Sequence, residues 1–247
     1  MAGRGVVGAI VAAAGASRRM RHTDKLFVPL ADRPLLAHVL ARLHDSPLIE
    51  RIALVLSEAN LARGRELVAD FGFAKVTEVC EGGARRQDSV RLGLEALGEC
   101  DWVLVHDGAR LLADPSVIAA GLEAARETGA AVPALPIADT VKVAREDGTV
   151  ERTLDRGPLR VAQTPQVFRF DLLLRAHREV TADVTDDAAM LELLGLPVKL
   201  YAGSPLNLKV TTPDDLRTAE ALLKAATRNS RVGAREEAFR ASNFEAG

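Results

Sequence analysis

Residues 6–25 read VVGAIVAAAGASRRMRHTDK. The stretch opens as an unbroken apolar run over 6–14, the pattern of a strand buried on both faces. It breaks into Ala13-Ala14-Gly15-Ala16-Ser17 and continues through Arg18 and Arg19 to Lys25. Small side chains let a ligand approach the backbone, and successive N–H groups in such a loop form an anion-binding concavity. Cations just beyond it suit a polyphosphate. Spacing alone does not separate Arg18 from Arg19, because adjacent side chains diverge. The pattern matches neither GxGxxG nor GxxxxGK[ST], so neither a dinucleotide fold nor a P-loop is signalled. A strand leading into a phosphate-holding loop is the expectation.

Arg4, the apolar run and an A-x-A-like end also resemble a secretory leader. The run is rich in Ala and Gly rather than Leu, and a basic cluster follows it at once. Cleavage there would delete the first strand, so the stretch is read as part of the fold.

Outward from it, strands and helices alternate. Residues 34–44 have apolar positions at helical spacing, with Pro34 suited to a first turn. A strand is expected at 51–56 (RIALVL), a helix at 58–71, and a strand at 75–79 ending in Glu81-Gly82-Gly83. Then come a helix at 85–97 and a third strong strand at 101–106, which stops at Asp107-Gly108-Ala109-Arg110. A helix at 115–128 and a strand at 130–135 follow. This alternation predicts an α/β fold, a mostly parallel twisted sheet with helices on both faces.

From Asp139 the rhythm changes. Runs 140–144 and 149–153 flank Asp147-Gly148, a hairpin signal, which predicts a protruding β-arm over about 138–158 suited to self-association. Helices are expected at 171–179 and 186–194, and strands at 198–201 and 207–210 to close the sheet. Thr212 is read as the N-cap of a last helix, with Pro213 at its first position. The expected organisation is a single domain over 1–228, the arm included, and a polar tail over 229–247 without catalytic duty.

Apolar content of 48% and charged content of 27% are ordinary for a globular chain, and the net charge of −2 argues against a nucleic-acid surface. No apolar run approaches the roughly 18 residues of a membrane span. Cys80 and Cys100 form no CxxC and read as free thiols in a reducing cytoplasm.

In an open parallel sheet, ligands bind outside the carboxyl ends of the strands. Three loops leave such ends. The first offers the backbone of Ala13, Ala14 and Gly15, with cations beyond it. The second offers small residues and Ser89. The third offers Asp107, which beside a polyphosphate is a natural magnesium ligand, directly or through water, or else caps the turn. A second set, Thr140, Arg156, Thr164, Thr185 and Lys209, suits a phosphorylated, hydroxyl-rich molecule, although spacing does not assemble it. His106 reads as a general base or as a structural histidine.

The motifs AAAGASRRM…DK, GGARRQDSV, VLVHDGAR, DTVK, TPQVF, TDDA and NLKVTTPDDL occur in the order and approximate spacing of one family. The chain resembles the 2-C-methyl-D-erythritol 4-phosphate cytidylyltransferases of the non-mevalonate isoprenoid pathway, over residues 6–225. The first motif is shared across nucleotidyltransferases; HDGAR with TPQ and NLKVT narrows the choice. The resemblance implies a Rossmann-like nucleotidyltransferase domain that dimerises through the β-arm. It implies CTP over Ala13, Ala14 and Gly15, with Arg19 and Lys25 on the phosphates and Gly83, Ala84 and Ser89 near the cytosine. Asp107 and Arg110 would lie between nucleotide and acceptor. Thr140, Arg156, Thr164, Thr185 and Lys209 would hold methylerythritol phosphate, some across the dimer. Arg19, Lys25, Asp107 and Lys209 form the implied catalytic set, with Mg²⁺ carried mainly on the CTP phosphates and touched by Asp107. The family more often has alanine at Gly108, a change read as only loosening the loop. The segment between Arg19 and Lys25 is shorter than in some relatives and lacks a proline before the lysine, which bears on the grip of Arg21 and His22. The alternative is a cytidylyltransferase for another polyol phosphate such as ribitol 5-phosphate, differing in the acceptor pocket.

Overall fold

The computed structural model describes residues 5–15, 24–111 and 115–225. Arg18, Arg19, Arg21, His22 and the 229–247 tail lie outside the described residues.

Strand β1 (Val7–Ala13) shows why a continuous apolar run was needed. Val7, Ala9, Val11 and Ala13 pack into one core cluster and Ile10 into the other, on the opposite face. Period-two alternation with both faces buried leaves no room for a polar residue. β1 pairs in parallel with β4 (Arg51–Leu56) on one side and β6 (Trp102–Asp107) on the other, and β4 pairs in parallel with β5 (Val76–Glu81). Beyond β6 come β7 (Ala130–Pro136), β10 (Arg160–Ala162), β11 (Gln166–Arg169) and β12 (Lys199–Ala202). The eight-stranded sheet runs β10-β7-β11-β6-β1-β4-β5, with β12 parallel to β7.

Helices α1 (Leu35–His44), α2 (Leu61–Asp70) and α4 (Pro115–Thr128) supply one core cluster, together with a last helix over 213–225. Helices α3 (Arg86–Leu97), α5 (Phe170–Glu179) and α6 (Asp187–Leu193) supply the other. Both cysteines are free and half-buried, and burial raises both thiol pKa values, so they are poor nucleophiles.

Several expectations shift. The expected helix over 58–71 is a 3-10 turn, Glu58–Asn60, followed by α2. Pro34 stands at the N-cap of α1, outside the first turn, because it ends β3 (Arg33–Pro34), which pairs with β2 (Pro29–Leu30) in a two-residue ladder. The 161–166 stretch, given no strand in the sequence reading, lies in an antiparallel insertion. β11 enters between β6 and β7, and β10 continues along β7 after a break at residues 163–165. The expected strand at 207–210 does not join the sheet. It forms an isolated bridge, Arg110 to Lys209, and Val210 N–H donates to Ala109 O at 2.9 Å, so it clamps the loop after β6.

The arm is a hairpin of β8 (Lys142–Ala144) and β9 (Val150–Thr153), which pair with each other. Its turn uses Gly148 at φ 81°, and Asp147 accepts from the Thr149 N–H. No residue of 138–158 is buried.

Candidate active site

Parallel register brings Ala12, Val55 and Asp107 to one level at the carboxyl ends of β1, β4 and β6. The loops after β5 and β6 are drawn to these ends by Gly82 N–H donating to Leu56 O at 2.8 Å and Gly108 N–H donating to Ala12 O at 3.0 Å. Side chains would obstruct that approach. A Cβ on Gly82 would lie 2.4 Å from the Ala14 Cβ, and one on Gly108 would lie 2.8 Å from the Ala13 Cβ. Gly108 therefore sets the spacing between two loops, where the sequence reading had it merely loosening one.

The loops enclose a cleft of about 520 Å³, a size suited to a small-molecule ligand. Its lining includes Ala13, Ala14, Gly15, Lys25, Gly83, Ala84, Ser89, Asp107 and Lys209 from the sequence-predicted set. Arg110 adjoins it, with Nε 3.7 Å from Asp107 Oδ2. Thr140, Arg156 and Thr185 are exposed and absent from the lining, and Arg19 lies outside the described residues. Arg85, Arg86 and Thr211 line the cleft but were given no role from sequence, although both arginines stand in the quoted GGARRQDSV motif.

Asp107 is 8% exposed. Lys209 Nζ lies 2.7 Å from its Oδ2, and Arg86 Nε lies 3.5 Å from its Oδ1. Burial alone would raise its pKa; Lys209, Arg86 and Arg110 outweigh burial and lower it to about 2. Lys25 opens a 3-10 turn, Lys25–Phe27, capped by Asp24, which accepts from Leu26 N–H. Asn60 donates to the same Asp24 carboxylate, and Lys25 Nζ donates to Val210 O at 2.8 Å. Thr211 and Thr212 bind the Asp215 carboxylate at the start of the last helix, fixing the chain that carries Lys209 and Val210.

Beneath the cleft lies a neutral relay. Asp107 N–H donates to Thr164 Oγ1 at 3.0 Å, and Thr164 Oγ1 lies 3.0 Å from His106 Nδ1. His106 Nε2 lies 2.8 Å from Arg110 O, a carbonyl that only accepts. Nε2 therefore carries the ring proton, and Nδ1 accepts from Thr164. Burial lowers the His106 pKa to about 4, so the ring is neutral and structural. Thr164 likewise has its proton engaged inside the protein, which makes it a support for Asp107 where the sequence reading placed it on the acceptor. Ser89 is also engaged: its Oγ accepts from Gly83 N–H at 3.1 Å and holds the 82–85 turn.

An open, mostly parallel sheet with a cationic, small-residue cleft at its strand ends defines a nucleotidyltransferase of the α/β class. The family described as 2-C-methyl-D-erythritol 4-phosphate cytidylyltransferase matches residues 7–225. A protein of that name from Dehalococcoides mccartyi is 53% identical over 218 residues, 88% of this chain and 96% of the relative. The crystal structure of the Thermus thermophilus protein of that name superposes with a TM-score of 0.74 at 35% identity, covering 87% and 98% of the two chains. That of 4-diphosphocytidyl-2C-methyl-D-erythritol synthase from Anaerococcus prevotii gives 0.78 at 27% identity, covering 90% and 97%. This chain belongs to the 2-C-methyl-D-erythritol 4-phosphate cytidylyltransferase family.

The neutral His106 sets a pH signature. Its folded pKa lies below the unfolded value, so protons bind the unfolded chain more readily as pH falls from about 6.5 to about 4. Stability should decline across that window, with a His106 contribution on the order of 3 kcal/mol. The Asp107 contribution holds above about pH 4 and is lost only below it, towards its folded pKa of about 2. Urea unfolding of the parent and His106→Gln at several pH values should show a flatter profile in the variant between pH 6.5 and 4. Parallel profiles would mean that His106 is not buried neutral.

Proposed function

We infer that this chain transfers CMP from CTP to 2-C-methyl-D-erythritol 4-phosphate, giving 4-diphosphocytidyl-2-C-methyl-D-erythritol and pyrophosphate, in isoprenoid precursor biosynthesis. Family membership over residues 7–225 carries the reading. In this reaction an acceptor phosphate oxygen forms a bond to the α-phosphorus, and the bond from that phosphorus to the β-bridging oxygen breaks. A phosphate monoester, with a second pKa near about 6, is already largely dianionic at neutral pH, so no general base is required. That accords with a His106 whose ring proton is engaged by a backbone carbonyl.

The protein's task is to bring two anions together and to stabilise charge gathering at phosphorus. The small-residue loop at Ala13, Ala14 and Gly15 takes the phosphates, with Lys25 and, beyond the described residues, Arg19. The Gly83, Ala84 and Ser89 turn takes the base. Lys209 and Arg110 face the acceptor side of Asp107, with Thr185 in the neighbouring loop. Mg²⁺ typically binds through one or two carboxylates plus substrate phosphates and keeps several waters. Among the described residues the cleft presents one carboxylate, Asp107, which fits an ion carried mainly by CTP, and when bound it would neutralise triphosphate charge.

The arm is read as the dimer contact. A lone two-stranded hairpin is marginal in water, and this one carries Val150 at 54% exposure. Thr140 and Arg156 lie on or beside it, away from their own chain's cleft, and would serve a partner's. The reading sets the enzyme in the cytoplasm; among the described residues no helix is long and apolar enough to cross a membrane.

Pyrophosphate release with CTP and Mg²⁺ is expected with methylerythritol 4-phosphate and not with ribitol 5-phosphate or without an acceptor. Release with ribitol phosphate alone would overturn the acceptor assignment. Lys25→Ala should lower kcat by about 10²–10³-fold, more than it raises the acceptor KM, by analogy with loss of an oxyanion-hole donor. An unchanged kcat would remove Lys25 from the transition state. By sedimentation, the parent should be a dimer and Val150→Asp should shift towards monomer. A monomeric parent would end the arm's proposed role.

A further inference from the structure

Two adjacent arginines leave the 82–85 turn in different directions. Arg85, which also lines the cleft, is tied to its own turn and to the chain before α6: its Nη1 donates to Asp183 Oδ1 at 2.6 Å, and its Nε and Nη2 donate to Asp88. Arg86 turns into the protein and lines the cleft with a side chain 29% exposed. Its Nη1 donates to Asp187 Oδ2 at 2.7 Å, while its Nε faces Asp107 Oδ1 at 3.5 Å. Burial favours the neutral guanidine, but the two carboxylates outweigh it and raise the pKa.

Asp187 is 0% exposed and does not line the cleft. Its neighbours fix it firmly. Asp186 accepts from Ala189 N–H at 3.1 Å and from Gln166 Nε2 at 2.7 Å, and Gln166 Oε1 accepts from Ala188 N–H at 3.3 Å. The second Asp187 oxygen is buried without a hydrogen-bond partner, 3.6 Å from His177 Nε2. A buried carboxylate so poorly compensated is unfavourable on stability grounds. What it does achieve is to hold one nitrogen of a rigid fork while another nitrogen of the same fork faces Asp107.

We propose that Arg86, pinned by Asp187, is a positioning residue for the transfer. It orients the Asp107 carboxylate and keeps a positive charge where the nucleotide loop meets the acceptor side. This rests on the nucleotidyltransferase reading of the cleft. Asp187 thereby acts on the reaction without touching substrate.

Steady-state pyrophosphate release is measured for the parent, Arg86→Ala, Arg86→Lys and Asp187→Asn, each with and without millimolar methylguanidinium, beside urea unfolding. Arg86→Ala should lose about 10²-fold in kcat, more than it changes the KM for CTP, and methylguanidinium should restore part of the rate. Arg86→Lys should fall between, because an ammonium does not reproduce the fork. Asp187→Asn should lose about tenfold without rescue, its guanidinium being present but unheld. If Arg86→Ala does not fold, Arg86→Lys and Asp187→Asn decide. Folded variants with kcat within about twofold of the parent overturn the proposal. So does a folded Arg86→Ala whose lost rate methylguanidinium does not restore. A parent inactive with every acceptor overturns instead the reading beneath it.

Discussion

Removing an ionised carboxylate from water is unfavourable by several kcal/mol unless protein groups replace its hydration. Asp107 meets that condition at the end of β6, where Lys209, Arg86 and Arg110 surround it. These cations come from the segment before the last helix, the start of α3 and the loop after β6. The dependence runs both ways, since without Asp107 three positive charges would crowd one cleft. The carboxylate thus draws distant parts of the chain to one point, and with Lys25 the cleft keeps a positive excess suited to polyanions.

Asp107 is held by its backbone as well as by its charge. The relay from its N–H through Thr164 and His106 to the Arg110 carbonyl satisfies each member and fixes both ring tautomer and loop. Buried polar networks rigidify when complete and are unfavourable when broken, so this one acts as a brace beneath the cleft. Its neutrality matters to the chemistry. A phosphate dianion needs placement and compensating charge more than proton removal, and the brace provides placement.

The two sides of the cleft are built differently. One side uses the successive loops after the parallel strands β1, β5 and β6, the place where such sheets bind ligands. The other side is formed by Lys209 and Thr211, carried on the segment that the 207–210 clamp holds against the loop after β6.

Local pattern by itself determined the alternating parallel strands and helices, the hairpin and the cap at Thr212, because unbroken apolar runs and a 3.6-residue period report which faces are buried. It also placed the small-residue loop after β1, the glycine turn and Asp107 at strand ends, since that placement follows from parallel topology. The β10–β11 insertion was not legible: its strands are three and four residues long, interrupted by Thr164-Pro165, and show little alternation. The 207–210 run looked like a strand because its apolar residues pack, yet it meets a loop and not a sheet edge. Only the tertiary structure decided the charges. Arg86 and Asp187 are 101 residues apart, and nothing in either's neighbourhood announces the other. A charge's partner depends on which segments share one desolvated spot, and that is set by the crossings of the chain.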